Sequence, residues 1–507
     1  MKITDKRDQI CRGSILRVVL AVCLSALLLS GCATVPVPTR SERTGQTGPL
    51  GRCADFFSSL DRQTRSAAAI DAGVFRVKQY PYLRVNRFLF SFGSQADHPE
   101  AFEQWLDRMQ TLDQDARQYE IANLPDAAVE GLDPVNGREG IYQRVDACGD
   151  VLRQSDFKDD ESKQNFIERV AVPDDYILSR RVLGIYPLTS QFVSNGVSKW
   201  HAKARQSFSN KPPANWQTIR YVPDRDIDWQ ALRQPIGPTT RDVLGIPVYS
   251  QPQLKALFRW YAPVWEVQIQ AAHDRIGTPV WNDKGMLDVD TRRPVTYTRL
   301  SFTRYQKQVL TQLNYIIWFP ARPKRSVTDI YGGLLDGVNY RVTLDRDGIP
   351  LLYETVHNCG CYYKAYPTKR LRVRENIPYA EPPLVLSAPD PDPFEHFVTL
   401  AMQTGTHYVQ HVYPLSRDVE PEAVEYTFAD YGRLRSLPYL GGQRRSMFDP
   451  NGLAPGSERL ERLILWPTGV VSPGAMRQWG RHAVAFVGQR HFDDPDYMDK
   501  MFGKPHS

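Results

Sequence analysis

The sequence predicts an α+β protein: a mainly helical N-terminal domain, then a larger domain built on a twisted, mainly antiparallel β-sheet with flanking helices. Two observations predict this fold. Between residues 51 and 240, apolar residues recur at intervals of three and four, the period of an amphipathic helix. After Arg241 the interval shortens towards two, in runs of aromatic and β-branched residues that are typical of strands. We find no internal repeat of the kind that predicts a solenoid or a propeller.

The strand patterns predict a sheet of at least five strands. Three runs, 265–271, 295–305 and 309–319, have the composition of adjacent antiparallel strands. A hairpin is predicted from 340–344 and 351–356, because Gly348 supplies the left-handed residue that the intervening turn needs.

The C-terminal part has mixed patterns. Six prolines between Asn376 and Pro393 exclude a regular ladder there, so this segment should cross the surface. Beyond it the patterns predict a short helix near 394–402 and a terminal helix from Ser472 to Val487, which opens on Ser-Pro. Further strands are predicted near 406–413, 424–429 and 463–466.

The N-terminus has basic residues followed by an apolar run that ends in Leu29-Ser30-Gly31-Cys32. This order resembles the signal peptide and lipobox of bacterial lipoprotein precursors. The resemblance implies that residues 1–31 are removed and that Cys32 takes a diacylglycerol and a further acyl chain such as palmitate. Because Ala33 rather than Asp follows Cys32, it also implies an outer-membrane anchor facing the periplasm.

The sequence divides into four parts on these patterns: the signal peptide (1–31), a flexible tether rich in Pro, Ser, Thr and Gly (32–50), the helical domain (51–240) and the sheet domain (241–507). The mature part carries a net charge of only +3, which is not the footprint of a nucleic-acid-binding protein. Phosphate-loop, dinucleotide-binding and C-x-x-C-H motifs do not occur, so we expect no nucleotide and no covalent haem. The sequence does not identify a protein or small-molecule partner.

Export determines how the cysteines are interpreted. Cys53 and Cys148 each share a helical face with apolar residues, and in an oxidising compartment we expect them to form a disulfide between two helices. The alternative is a pair of unlinked thiols in the core.

One short segment contains both thiol and imidazole ligands: His357-Asn358-Cys359-Gly360-Cys361. If the preceding strand continues, residues 357, 359 and 361 share one face, which predicts a zinc or copper site at His357, Cys359 and Cys361. Two alternatives remain: a strained, redox-active disulfide between the cysteines, or two small core residues beside a hydrogen-bonded histidine.

Further metal ligands would come from the other histidines: His396, His407, His411, His482 and His491. His407 and His411 have the spacing of two ligands on a helix, but their segment has the composition of a strand, in which they would lie about 13 Å apart. We therefore expect two histidines on a partly exposed strand.

Basic and aromatic residues interleave along the sheet, as at Trp318, Phe319, Arg322, Lys324 and Arg325. This pattern favours a solvated face, with a groove for an anionic or sugar-like ligand as the alternative. Three hypotheses follow for the function, and the sequence leaves open whether the protein is an enzyme. The first is a lipid-anchored envelope protein with a Cys/His metal site of unknown reaction. The second is a non-catalytic binding or assembly lipoprotein with structural cysteines, and the third is a thiol-dependent hydrolase or redox protein.

Overall fold

A computed structural model describes residues 45, 47–95, 98–209, 217–224, 237–238, 240–388, 391–392, 395–417 and 422–503. Cys32, the predicted signal peptide and most of the predicted tether lie outside these residues. Within the described part of the chain, no helix has the length and apolar character needed to cross a membrane.

The N-terminal region is mainly helical, with one small hairpin, β1 (Phe75–Val77) and β2 (Tyr80–Val85). The helices before Val170 contribute apolar residues to a shared core that includes Phe57, Trp105 and Ile141. The helices are α1 (Pro49–Ser66), α2 (Arg87–Phe90), α3 (Pro99–Ala122), α4 (Asp126–Leu132), α5 (Gly137–Asp156), α6 (Asp160–Arg169), α7 (Leu178–Leu183) and α8 (Tyr186–Ser209).

Two features join the helices of this core. Cys53 of α1 and Cys148 of α5 are both buried, and their Sγ atoms lie 2.09 Å apart with 5.0 Å between the Cα atoms, which supports the predicted disulfide. Arg84 of β2 pairs with Asp113 at 2.8 Å and with Glu120 at 2.7 Å, both on α3. Because these charges are fully buried, they are stable there only as a hydrogen-bonded set.

The second region is built on an eleven-stranded, curled mixed sheet in the order β15-β13-β12-β11-β10-β9-β18-β3-β6-β16-β17. Six of its ten neighbouring pairs are antiparallel. The strands are β3 (Thr218–Pro223), β6 (Val264–Gln268), β9 (Val295–Tyr305), β10 (Gln308–Arg322), β11 (Gly333–Leu344), β12 (Pro350–His357), β13 (Lys364–Pro367), β15 (Leu384–Val385), β16 (His396–Met402), β17 (Val409–Ser416) and β18 (Val424–Asp430).

Short elements flank this sheet. They are the strand pairs β4 (Thr240–Arg241) with β5 (Pro247–Val248), β7 (Thr278–Trp281) with β8 (Leu287–Asp290), β14 (Arg372–Val373) with β21 (Phe502–Gly503), and β19 (Leu437–Pro438) with β20 (Arg444–Arg445), and the helices α9 (Gln251–Trp260), α10 (Arg462–Leu465) and α11 (Tyr497–Met501). Single 3₁₀ turns occur at Gly93–Gln95, Ala272–Asp274, Tyr431–Arg435, Leu440–Gly442 and Trp466–Thr468.

The predicted fold class is confirmed, and so is the central hairpin. β11 and β12 pair antiparallel around a turn in which Gly348 has a φ of +82°. The predicted strands at 265–271, 295–305, 309–319 and 424–429 correspond to β6, β9, β10 and β18. β3 precedes the predicted boundary at 240/241 but pairs with β6 and β18 in the large sheet.

Three predicted elements of the C-terminal part are wrong. The segment 394–402 contributes β16 rather than a helix. β16 lies between β6 and β17 and is buried on both faces. Its sequence therefore lacks the alternation of apolar and polar residues that would have predicted a strand. The segment 463–466 is mostly the short helix α10. The segment 472–487 forms no helix, because Gly474 and Gly480 adopt φ values of +83° and +93° and the chain passes through the core with nearly all its residues buried.

Candidate functional site

The His-x-Cys-x-Cys segment does not continue the strand, so the expectation that residues 357, 359 and 361 share one face is wrong. The chain turns directly after β12: the amide of Gly360 donates to the carbonyl of His357 at 2.7 Å, and the amide of His357 donates to that of Cys361 at 3.0 Å. Gly360 has a φ of +89°, which a residue with a side chain rarely adopts. This turn directs His357 and the cysteines into different surroundings.

Both cysteines are buried and unlinked in a hydrophobic cluster with Trp318 and Met476. The backbone amide of Cys361 donates to Sγ of Cys359 at 3.4 Å. A hydrogen bond to Cys359 and burial raise the pKa of the Cys361 thiol well above its usual value. A thiol of this kind stays protonated at neutral pH and is a poor nucleophile.

His357 belongs instead to a buried chain of two carboxylates and two imidazoles, which we call the carboxylate–imidazole chain. Its Nδ1 lies 3.3 Å from Oδ1 of Asp336, a residue of β11. The other oxygen of Asp336 lies 2.8 Å from Nδ1 of His407, whose Nε2 lies 3.3 Å from Oδ1 of Asp274. Phe319 stacks on His407 with the ring centroids 3.9 Å apart.

The protonation of this chain follows from its contacts. Burial lowers the pKa of His407, but the carboxylates of Asp274 and Asp336 outweigh burial and raise it. Burial also lowers the pKa of His357, and Asp336 does not offset that effect. Burial disfavours ionised Asp336, yet His357 and His407 hold its pKa well below the usual range. Thus His407 is more readily protonated than His357.

The expectation of two histidines on a partly exposed strand holds for His411 alone. His411 lies on β17, is half-buried, and its ring is 6.2 Å from that of Phe208. His407 precedes β17, is fully buried, and has a φ of +51°. It is held there because Asp274 also accepts hydrogen bonds from Thr404 and Gly405 in the same turn, each at 2.7 Å.

The other three candidate ligands from the sequence are His396, His482 and His491. His396 begins β16, and His491 lies 3.5 Å from Asp174 and from Asp175. Burial lowers the pKa of His482 to about 3. Among the described residues, no group of three or more His, Cys, Asp and Glu side chains is arranged to hold a metal ion. The zinc or copper site therefore stays a prediction.

A cavity of about 760 Å³ lies beside the cysteine turn. Its volume is within the range of ligand sites. Helix α8 lines it with Phe192 and Trp200. Cys361, Tyr362 and Tyr408 also line it, and we call the surface that they form the floor of the cavity. The rings of Tyr362 and Tyr408 contact His357, at centroid distances of 5.0 Å and 5.6 Å. The carboxylate–imidazole chain thus supports the floor of the cavity from behind.

Positive charge predominates in the cavity. Its lining includes six cationic side chains and two carboxylates. Glu381, one of the carboxylates, already accepts from the amides of Phe486 and Val487 and lies 3.9 Å from Arg490. Burial raises the pKa of the other, Glu461, to about 7. The cations are Lys199, Lys203, Arg322, Arg325, Lys364 and Arg490.

Lys364 is the unusual member of this set. Its side chain is 4% exposed, and its Nζ donates to the carbonyl of Val409 and lies 5.9 Å from the ring centroid of Trp200. No carboxylate of the described residues forms an ion pair with it. Burial lowers its pKa from 10.5 to about 7. The cavity therefore contains a desolvated ammonium group without an anionic partner.

Arg322 supplies a second cation at the end of β10. Its two Nη atoms donate to the hydroxyls of Tyr362 and Tyr408 at 3.3 Å each. Its guanidinium lies 5.3 Å from the ring centroid of Tyr408. A guanidinium oriented by two hydroxyls keeps donors in a fixed fork that suits a carboxylate, a sulfonate or a phosphate.

Sequence reasoning found Arg322 and Arg325 within the basic and aromatic pattern but missed Lys364, Glu461, Asp274 and Asp336. Two of these carried a signal. Asp336 follows two leucines in a buried strand, and Lys364 is flanked by tyrosines and Ala365. A charged residue inside an apolar run is costly unless it is paired or used, and it marks a candidate site.

In comparisons with protein-family models, curated proteins and solved structures, none matched this chain. The function must therefore be argued from the site.

Proposed function

We propose that this protein is an exported, lipid-anchored binding protein whose cavity takes an anionic small molecule with an aromatic or sugar-like part. The observation that carries the proposal is Lys364, a buried ammonium group that lines the cavity and has no carboxylate partner among the described residues. An anion at this position would supply the missing countercharge. It would also accept hydrogen bonds from Arg322.

The aromatic lining supports the second half of the proposal. Trp200 covers the cavity from α8, while Tyr362 and Tyr408 form its floor. Flat aromatic faces bind rings and sugars by stacking, and the cations then fix the orientation of the acidic group. In this proposal Cys359 and Cys361 are structural core residues, and Cys32 holds the protein at the periplasmic face of the outer membrane.

Calorimetric titration with naphthalene-2-sulfonate and its neutral analogue naphthalene-2-sulfonamide tests this function. We expect the sulfonate to bind about ten- to a hundredfold more tightly at pH 6, since charge-assisted hydrogen bonds contribute about 1.5 to 3 kcal/mol. The preference should fall in Lys364→Met, in which Arg322 remains, and should be unchanged in Lys158→Met, which alters an exposed lysine elsewhere. Equal affinities of both probes for the parent would refute the proposal.

The pH dependence gives an independent check. Because burial lowers the pKa of Lys364 to about 7 and raises that of Glu461 to about 7, raising the pH removes a positive charge and adds a negative one in the same cavity. Binding of the sulfonate should therefore weaken between pH 6 and pH 8, while binding of the sulfonamide stays constant.

A zinc or copper site at His357, Cys359 and Cys361 is a second proposal. The side-chain hydrogen bond between Cys361 and Cys359 favours it, whereas the pairing of His357 with Asp336 opposes it. Metal analysis of protein purified without chelator, beside a Cys359→Ser, Cys361→Ser variant, decides the matter. Absence of stoichiometric metal from the parent ends this second proposal.

A further inference from the structure

The helices α7 and α8 present large apolar side chains to the surface. Six of them, between Leu178 and Phe192, are 58 to 79% exposed. A contiguous exposed apolar area of this kind marks an interaction surface rather than ordinary surface variation. We call this set the apolar face: Leu178, Val182, Leu183, Ile185, Leu188 and Phe192.

The apolar face continues onto α10. Arg181 donates to the carbonyl of Thr468 at 2.8 Å, and Gly184 packs so closely on Pro467 that a Cβ atom there would lie 2.4 Å from it. These contacts place the turn between α7 and α8 against the segment that follows α10. On α10, Leu463 and Ile464 are 48% and 60% exposed. Ile464 and Phe192 also line the same cavity.

The charge along α7 and α8 has one sign. From Tyr176 to Pro223 the sequence contains no Asp and no Glu, whereas the two helices contain Arg180, Arg181, Lys199, Lys203 and Arg205. Arg180 and Arg181 donate to backbone carbonyls, which leave their charge uncompensated. Lys199 and Lys203 are exposed. Exposed Leu, Ile and Phe beside Lys and Arg, without acidic residues, is the composition of helices that lie in a membrane interface.

We propose that α7, α8 and α10 dock on the surface of an anionic phospholipid bilayer, with the apolar face inserted among the lipids. This contact is separate from the lipid at Cys32, and it does not depend on the cavity being occupied. An anionic bilayer fits because it offers apolar depth for Leu188 and Phe192 together with negative charge for the basic side chains. Docked in this way, Phe192 and Ile464, which also line the cavity, would contact the membrane.

Co-sedimentation with vesicles tests the proposal on the chain from residue 33 onward, which lacks Cys32 and retains every described residue. We expect binding to vesicles of phosphatidylglycerol and phosphatidylcholine in equal parts to exceed binding to pure phosphatidylcholine by about tenfold or more, and to fall at high salt. The variant Leu188→Asp, Phe192→Asp should lose that binding. Val135→Asp, which changes a side chain that is 85% exposed in the loop between α4 and α5, should not.

A second measurement reports the position of the face directly. An environment-sensitive fluorophore on Leu188→Cys should shift to the blue when anionic vesicles are added, and the same fluorophore on Val135→Cys should not. Failure of the parent to bind anionic vesicles overturns the proposal. So does a concentration-dependent dimer of the parent that Leu188→Asp, Phe192→Asp abolishes, because the apolar face would then belong to a second copy of the chain. Loss of sulfonate binding alone concerns only the cavity.

Discussion

Replacing Lys364 by Met should stabilise the protein at low pH and have little effect at high pH. The pKa of Lys364 is about 7 in the folded chain and 10.5 without burial, so between these values the unfolded chain binds more protons than the folded one. Stability attributable to Lys364 therefore rises as the pH rises from about 7 to 10.5, and it is lowest below pH 7.

The size of the effect follows from the same two values. Each pH unit between the two pKa values corresponds to about 1.4 kcal/mol, so the buried charge costs up to about 5 kcal/mol at pH 6 and under about 1 kcal/mol at pH 10. Met retains most of the apolar stem that packs near Trp200, and it gives up the hydrogen bond to Val409. The stability difference between the variant and the parent should thus change by about 4 kcal/mol across this range.

Urea unfolding at pH 6, 8 and 10 measures this change. Lys364→Met should have the higher unfolding free energy at pH 6, and the difference should shrink steadily towards pH 10. Lys158→Met, at an exposed position, should differ from the parent by less than about 0.5 kcal/mol at each pH. A difference for Lys364→Met that is the same at pH 6 and pH 10 would refute the reasoning, because it would mean that the ammonium group is solvated.

Three further predictions concern the framework of the site. Burial opposes ionisation of Glu120, but Arg84 and Arg76 hold its pKa at about 2. Glu120→Gln should therefore lower the free energy of unfolding by about 3 kcal/mol at pH 7, and this loss should disappear as the pH falls from 4.5 to 2. A loss that is unchanged at pH 2 contradicts the prediction. Gly360→Ala should destabilise the protein by about 1 to 3 kcal/mol, because φ at this position is +89° and the new Cβ would lie 2.4 Å from the carbonyl oxygen of Ala483. An unchanged midpoint of thermal unfolding contradicts this prediction. Cys53→Ser, Cys148→Ser should cost about 4 to 5 kcal/mol, and a reductant should then have no further effect on unfolding.

Local sequence patterns predicted the strands that have one distinguishing feature, such as the turn glycine between β11 and β12. They failed at β16 and at the segment 472–487. β16 is buried between two strands, and most of the segment 472–487 is buried, so the apolar spacing of each matched a helix equally well. Helical spacing alone cannot distinguish a buried strand or a buried irregular segment from a helix, because it indicates which residues are buried and not which neighbours they contact.

The candidate site was predictable only in part for a related reason. Cys359, Cys361 and His357 are close in sequence, so proximity suggested a shared ligand, whereas the turn at Gly360 separates their surroundings. The partner of His357 is instead Asp336 of β11, 21 residues earlier in the chain. Asp336 in turn pairs with His407, 71 residues later, in the turn before β17. Such contacts are set by sheet order, which a local pattern does not contain.

The bond between Cys53 and Cys148 has a mechanical consequence. For a chain held at the membrane by Cys32, tension along the tether enters the fold at α1, which begins at Pro49. Cys53 lies in the second turn of that helix, and the disulfide passes the load to α5 through covalent bonds. Pulling therefore extends only the residues before Cys53 until α5 itself yields. All the residues that line the cavity follow α5 in the chain, so they lie outside the loop that this disulfide closes.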